Sequence, residues 1–488
     1  MKQKQCIVTA AVFGSALLVG GAGFANDKPN VVIMLADNVG WGDISAYSGG
    51  PKVRGMPTTN IDALAAEGMQ LTQFFVEPGC TPSRAALMTG RYSNRSGLGT
   101  IIIGGTPNTL KDEEITLAEV MQDAGYKTAM YGKWHLGSEE QSWPTRQGFD
   151  YYGVGVIETS DGTLYRQSME RHGISEDVIA ARAPKIMESD SDGTLHVVRE
   201  YDLAYRAQVE GDIAKGAVEY IQENADSEDP FFLYIGWTNT HYPNSVAPEF
   251  SGITGYPYGD AITELDARTG EVLDAIDDAG IADNTIVMWL SDNGATPSAA
   301  PYQHKGGSNG PFRGELGDAL EGSLRVPAMV RWPGHIAPSV SNEMVSVHDI
   351  MPTIAALTGA AMPTDRYYDG FDQSALLKGD QQNSNREALI TWVNNEIGSI
   401  RWRNYRVYPK AFATSFYNNP SQGGGNGIQL KKNELPDIYD IEMDPREEIN
   451  ITADHAWVLG YTSQVLAEYY ATLKDDPNPP GVSLTILD

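Results

Sequence analysis

A cysteine beside a predicted helix is the residue of this sequence whose surroundings point most clearly to reactivity. Cys80 opens the stretch Cys-Thr-Pro-Ser-Arg, and Pro82, the helix-forming run 85–88 and Gly90 predict a short helix just after it. The free N–H groups of a helix N-terminus favour an anion, and Arg84 projects back toward that end. The stretch could therefore hold a reactive group next to an anion. A buried structural cysteine before a short helix is the alternative interpretation.

Oxygen-bearing side chains follow two apolar runs that are typical of buried parallel strands. Asp37 and Asn38 come after the run 30–36, and Asp292 and Asn293 come after the run 285–290. Open α/β sheets bind ligands at the carboxyl ends of their strands, and such oxygens suit Ca²⁺ or Mg²⁺. A single Asp-Asn pair after a strand is more often a turn. Two pairs far apart in the chain predict one metal site at one sheet edge.

Basic side chains follow two further predicted strands. Lys133 and His135 lie two residues apart in an extended segment, so they project to the same face. His241 follows the apolar run 230–235. The ordinary interpretations are a solvated lysine beside a half-buried histidine, and a core histidine bonded to the backbone.

The order and spelling of these motifs resemble the type I sulfatases of the alkaline phosphatase superfamily, and bacterial arylsulfatases in particular. The resemblance is carried by C-T-P-S-R with A-L-M-T-G-R at 80–91, by G-K-W-H-L-G at 132–137 and by further segments across most of residues 29–455. It implies an α/β fold, with a large mixed, mostly parallel sheet sandwiched by helices and a smaller C-terminal antiparallel sheet. The corresponding domains are a catalytic domain at 26–380 and a C-terminal subdomain at 381–488.

The resemblance also implies a nucleophile and a cofactor. In that family the cysteine is converted to formylglycine, whose hydrated aldehyde attacks sulfur, and Cys80 holds that position. The implied divalent cation is Ca²⁺, with Mg²⁺ as the alternative, held by Asp37, Asn38, Asp292, Asn293 and residue 80. The family usually has aspartate where this chain has Asn38, which removes one negative charge from the donor set.

Substrate contacts and proton transfer are implied in the same way. Arg84 and Lys133 would offset charge on the sulfate oxygens. His241 would protonate the departing alcohol or phenol, and His135 would act as the base that releases sulfate. A formylglycine-generating maturation enzyme is the implied partner of Cys80, and a small-molecule or glycan sulfate ester is the implied substrate.

One position departs from the family. Leu316 stands where these sulfatases usually place a lysine that contacts the sulfate, and a leucine cannot bind an oxyanion. Lys305 or His304 would replace it, or the pocket is one cation short. A phosphonate monoester or phosphodiester hydrolase with the same nucleophile is therefore one alternative. A catalytically lapsed binder of sulfated glycans is another, although the intact motifs argue against it.

The composition and the N-terminal sequence limit where the protein could be located and which partners it could have. The chain has 488 residues and a net charge of -29, which argues against nucleic acid as a partner. Residues 1–25 combine two lysines, an apolar run and small residues, which predicts a secretory signal peptide and a periplasmic or secreted protein. No stretch reaches the roughly 20 apolar residues of a membrane span. Cys80 would be the only cysteine left after cleavage, which rules out an intramolecular disulfide.

Overall fold

The computed structural model describes residues 28–50, 56–103, 106–296, 306–412 and 430–482. The predicted signal peptide at 1–25 lies outside the described residues, and so do the two candidate substrate residues His304 and Lys305. Within the described ranges, no helix is both long enough and apolar enough to cross a membrane.

Ten strands form the larger sheet in the described part of the chain. They are β1 (Asn30–Ala36), β2 (Met69–Phe75), β3 (Lys127–Lys133), β4 (Tyr151–Val156), β5 (Lys185–Ser189), β6 (Leu195–Glu200), β7 (Phe231–Gly236), β8 (Thr285–Ser291), β9 (Arg325–Arg331) and β10 (Ser339–Ser346). Their spatial order is β10-β2-β9-β8-β1-β7-β3-β4-β5-β6. The five central strands, β8-β1-β7-β3-β4, are mutually parallel. Their carboxyl ends therefore meet at one edge, where ligands bind in sheets of this kind.

Helices cover both faces of this sheet. The helices are α1 (Ser45–Ser48), α2 (Thr59–Glu67), α3 (Cys80–Thr89), α4 (Leu117–Asp123), α5 (Tyr165–Arg171), α6 (Glu176–Arg182), α7 (Leu203–Arg206), α8 (Val209–Asn224), α9 (Pro257–Asp278), α10 (Glu321–Leu324), α11 (Ile350–Thr358), α12 (Ser374–Leu377), α13 (Thr452–His455) and α14 (Val458–Thr472). Alternate residues of β1 enter two separate cores. Val31, Ile33 and Leu35 pack toward α3, α4 and α11, whereas Val32, Met34 and Ala36 pack toward α2, α8 and α9. This two-sided burial explains the continuous apolar run of the strand and confirms the predicted sandwich.

A second, four-stranded sheet lies in the C-terminal part of the chain. Its strands are β11 (Ala388–Val393), β12 (Glu396–Trp402), β13 (Tyr405–Phe412) and β14 (Leu430–Asp440), paired antiparallel in that order. The smaller antiparallel sheet is thus confirmed, whereas the boundary at 380–381 stays a prediction. The sequence also favours one strand over residues 402–406, and this is wrong. Arg403 has a φ of 52°, and it forms with Asn404 the turn between β12 and β13.

A buried ion cluster joins the two sheets. Glu321 of α10 pairs with Arg401 of β12 at 3.0 Å, with Arg406 of β13 at 2.6 Å and with Arg325 of β9 at 3.3 Å. Burial alone would raise the pKa of Glu321, but the three guanidinium groups outweigh it and lower that pKa to about 2. The neighbouring Ser323 accepts a hydrogen bond at 2.8 Å from the N–H of Gly294. The cluster therefore fixes α10 against the loop that follows β8.

Candidate active site

Four adjacent strands deliver the predicted site residues to one edge of the large sheet. Asp37 follows β1, Asp292 follows β8, His241 lies beyond β7, and Lys133 is the last residue of β3. Backbone bonds link these ends. The N–H of Asp292 donates to Ala36 O at 3.0 Å, and that of Asp37 donates to Asn239 O at 3.0 Å. The sheet thus sets the relative positions of Asp37 and Asp292, whereas His241 lies in the loop beyond β7.

Metal-type donor atoms converge at this edge. One ligand atom each of Asp37, Cys80 and Asp292 lies within 4.8 Å of the others, and all three residues are completely buried. Cys80 is the first residue of α3, and its Sγ lies 3.8 Å from Asp37 Oδ1 and 4.0 Å from Asn38 Oδ1. Asn293 Nδ2 donates to Asn38 Oδ1 at 2.6 Å. Asn293 Oδ1 is buried without a hydrogen-bond partner among the described residues, which leaves an oxygen for a cation.

Two buried cations hold the carboxylates in place. Lys133 Nζ lies 2.7 Å from Asp37 Oδ2, and the Nε and Nη2 atoms of Arg84 lie 3.1 and 2.9 Å from Asp292 Oδ2. Arg84 Nη1 also donates to Lys133 O at 2.8 Å. Burial would raise the pKa of Asp37, but Lys133, with His241 and Arg84, outweighs it and lowers that pKa to about 2. Burial raises the pKa of the Cys80 thiol, so the unmodified side chain is a neutral thiol.

The two histidines are held in defined orientations. His135 is fully buried, and its Nε2 lies 2.9 Å from Ile102 O, so this nitrogen carries the proton. Its Nδ1 is buried without a partner in the described ranges, and burial together with Lys133 holds its pKa well below the ordinary value. His241 Nδ1 donates to Tyr242 O at 2.8 Å, which leaves Nε2 as the ring nitrogen without a hydrogen-bond partner in the part of the chain that the structure describes.

The segment that contains Leu316 borders the same site. Leu316 is buried, and its N–H lies 3.4 Å from Ala295 O, while the N–H of Gly317 donates to Pro78 O at 2.8 Å. It therefore lies between the Cys80 loop and the loop that follows β8. An apolar side chain occupies this position, as the sequence predicts.

Three charged residues behind His241 are absent from the sequence-based site. Arg206, Glu210 and Glu264 are buried and hydrogen-bonded to the segment 238–241. In the sequence these residues are recognisable only as charged positions of amphipathic helices. The sequence predicts a packing role for Glu264. Charged helix positions usually face solvent, so the sequence gives no reason to place them in the interior.

Comparisons with known proteins agree with this geometry. The sequence profile described as Sulfatase matches residues 29–360. Arylsulfatase A of Homo sapiens is 33% identical over 93% of this chain and 88% of its own length. Steryl-sulfatase of Rattus norvegicus is 31% identical over 93% of this chain and 91% of its own. The crystal structure of the PsFucS1 sulfatase from Pseudoalteromonas sp. superposes with a TM-score of 0.85 at 31% identity, covering 93% of this chain and 92% of that one.

The fold and the buried site define a hydrolase of the alkaline phosphatase superfamily. Within that class the chain belongs to the sulfatase family. The predicted resemblance is thereby confirmed, and with it the prediction of a sulfuric ester hydrolase.

Proposed function

We propose that this protein hydrolyses sulfate monoesters with residue 80, in its formylglycine form, as the nucleophile and with a bound divalent cation. The observation that supports this most is the convergence of Asp37, Cys80 and Asp292 beside two buried cationic side chains. A neutral binding pocket would not need such a concentration of buried charge, since each buried ion carries a large desolvation penalty.

The donor set fits a hard cation. Carboxylate oxygens of Asp37 and Asp292, the amide oxygen of Asn38 and the unpartnered Oδ1 of Asn293 are the ligand types that Ca²⁺ prefers. We favour Ca²⁺ over Mg²⁺ because Mg²⁺ usually keeps several waters and one or two carboxylates, whereas these donors come from the protein. When bound, such a cation polarises a sulfate oxygen.

Arg84 and Lys133 would bind the remaining sulfate oxygens. Both are completely buried and are fixed by carboxylates at 2.9 and 2.7 Å. Cationic groups that are already oriented stabilise developing charge without reorganising during the reaction. Leu316, whose segment borders the site, would add no charge to this pocket.

The two histidines would move protons in different steps of the reaction. The hydrated aldehyde of residue 80 supplies one oxygen as nucleophile and a second hydroxyl for the release of sulfate. His241 Nε2, which has no hydrogen-bond partner among the described residues, would protonate the departing oxygen. His135 Nδ1, which has no partner in the described ranges, would accept the proton from the group at residue 80.

Export and maturation complete the proposal. The features of residues 1–25 support secretion or transport to the periplasm, followed by signal cleavage. Conversion of Cys80 requires a formylglycine-generating enzyme in the producing host. The mature chain would then comprise the catalytic domain to residue 380 and the C-terminal subdomain from 381.

A phosphonate monoester or phosphodiester hydrolase is the second candidate, because the apolar Leu316 changes the charge of the pocket. The two candidate functions are distinguished by measuring the kcat/KM of the exported enzyme on a nitrophenyl sulfate and on a nitrophenyl phosphonate ester. We expect the sulfate to be the better substrate, and we expect a chelator to remove the activity and Ca²⁺ to restore it. A higher kcat/KM on the phosphonate ester would contradict the proposal. Binding of a sulfated glycan without any product would contradict it as well.

A further inference from the structure

The segment 238–241, which carries His241, rests on a buried guanidinium group. Arg206, the last residue of α7, has no exposed surface. Its Nη2 lies 3.2 Å from Thr238 O, 3.0 Å from Asn239 Oδ1 and 3.1 Å from His241 O. One planar group thus contacts three of the four residues of the segment, including the backbone of the histidine itself.

Two buried carboxylates complete this support. Glu210 of α8 accepts hydrogen bonds from both the backbone N–H, at 3.0 Å, and the hydroxyl of Thr238, and it lies 3.5 Å from Arg206. Glu264 of α9 accepts from Asn239 Nδ2 at 3.3 Å and from the N–H of Ala247 at 3.4 Å. Three helices therefore hold the segment from the side that faces away from the site.

The opposite side of the segment contacts the metal-type residues directly. The N–H of Thr240 donates to Asp37 O at 2.6 Å, and its hydroxyl lies 3.2 Å from Asp37 O and 3.3 Å from Asn38 O. The segment is therefore clamped between Arg206 and the strand end that carries the carboxylates. A shift of His241 relative to the sulfate would require one of these two layers to move.

We infer that Arg206 is a positioning residue that holds His241 at the leaving oxygen of the substrate. The inference rests on the proposed role of His241 in protonating that oxygen. A proton donor acts only within hydrogen-bond reach, and a misplacement of about 1 Å can cost about 100-fold in rate. Removal of the guanidinium takes the Arg206 donor away from Asn239 Oδ1 and His241 O and leaves Thr238 O only the N–H of His241 at 3.1 Å, so the segment would relax away from this geometry.

The test uses the dependence on the leaving group. A nitrophenolate departs without help from a proton, whereas an alkyl alcohol needs one. Arg206→Met should therefore lower kcat/KM by about 100-fold for an alkyl sulfate and far less for a nitrophenyl sulfate. His241→Ala should show the same larger loss of kcat/KM on the alkyl sulfate than on the nitrophenyl sulfate. The variant that combines Arg206→Met with His241→Ala should have the same kcat/KM as His241→Ala alone, because both changes remove the same function. Arg206→Lys, which keeps a cationic donor, should recover part of the alkyl sulfate activity.

Arg331→Met is the matched control. This arginine is also buried and pairs with Glu67 and Asp277, each at 2.9 Å, but it lies at the other end of β9 from the site. Its replacement should lower the melting temperature without changing the ratio between the two substrates. Equal losses on both substrates in Arg206→Met, beside a selective loss in His241→Ala, would overturn the positioning role alone. An unselective loss in His241→Ala would overturn the proposed role of the histidine, and the inference with it.

Discussion

Replacement of Cys80 by alanine should abolish turnover of sulfate esters and leave the fold intact. Loss of a nucleophile that acts together with its partners lowers kcat by roughly 10⁴- to 10⁶-fold. The sulfur contacts only Asp37 Oδ1 at 3.8 Å and Asn38 Oδ1 at 4.0 Å among the polar atoms described, so its removal breaks no strong bond. We expect the free energy of unfolding to change by about 1 kcal/mol, as for a small buried truncation.

The measurement is the kcat of Cys80→Ala on a nitrophenyl sulfate, together with its thermal melting. Thr358→Ala serves as a control, because it removes a buried hydrogen bond of 2.7 Å to Ile354 O on α11, away from the site. The control should lose about 1 kcal/mol of stability and keep its kcat. Retention of wild-type kcat in Cys80→Ala would show that residue 80 is not the nucleophile.

Asp292→Asn should both weaken cation binding and destabilise the metal-free protein. The change preserves volume but removes the charge that faces Arg84, whose guanidinium lies 2.9 Å away and has no exposed surface. A buried cation that loses its counter-charge costs about 3–5 kcal/mol. Denaturant unfolding of the chelator-treated protein measures this loss, and calorimetric titration with Ca²⁺ measures the affinity.

Asp365→Asn is the control for that experiment. Asp365 also pairs with an arginine, Arg366, at 2.9 Å, but 63% of its side chain is exposed. An exposed pair contributes little, so its loss should change the free energy of unfolding by less than about 1 kcal/mol. If Asp292→Asn bound Ca²⁺ as tightly as the wild type, the negative charge of Asp292 would not contribute to cation binding.

The sequence marks candidate site residues more directly than it marks the strand order that brings them together. Asp37 and Asp292 are recognisable because the strands before them are buried on both faces and so read as continuous apolar runs. The order of the strands in the sheet cannot be predicted from such runs. β1 lies between β7 and β8, and no local pattern encodes such long-range pairing. The resemblance to sulfatases supplied the architecture that periodicity alone could not.

The predicted end of one helix is wrong because a local capping signal determines where the helix begins. Periodicity favours a helix over residues 110–124, but α4 begins only at Leu117. Thr116 and Glu119 form a capping box there, with bonds of 3.1 and 2.7 Å, and this fixes the start of the helix. No local signal predicts the burial of Arg206, because that burial depends on tertiary packing of α7 against the loop after β7.

Peptide mass spectrometry of residue 80 is the most direct test of a formylglycine nucleophile at this position. The protein should be purified from a host that has the maturation enzyme and that yields active protein. We expect a peptide mass that matches formylglycine at position 80. An unmodified cysteine in protein that turns over sulfate esters would contradict it.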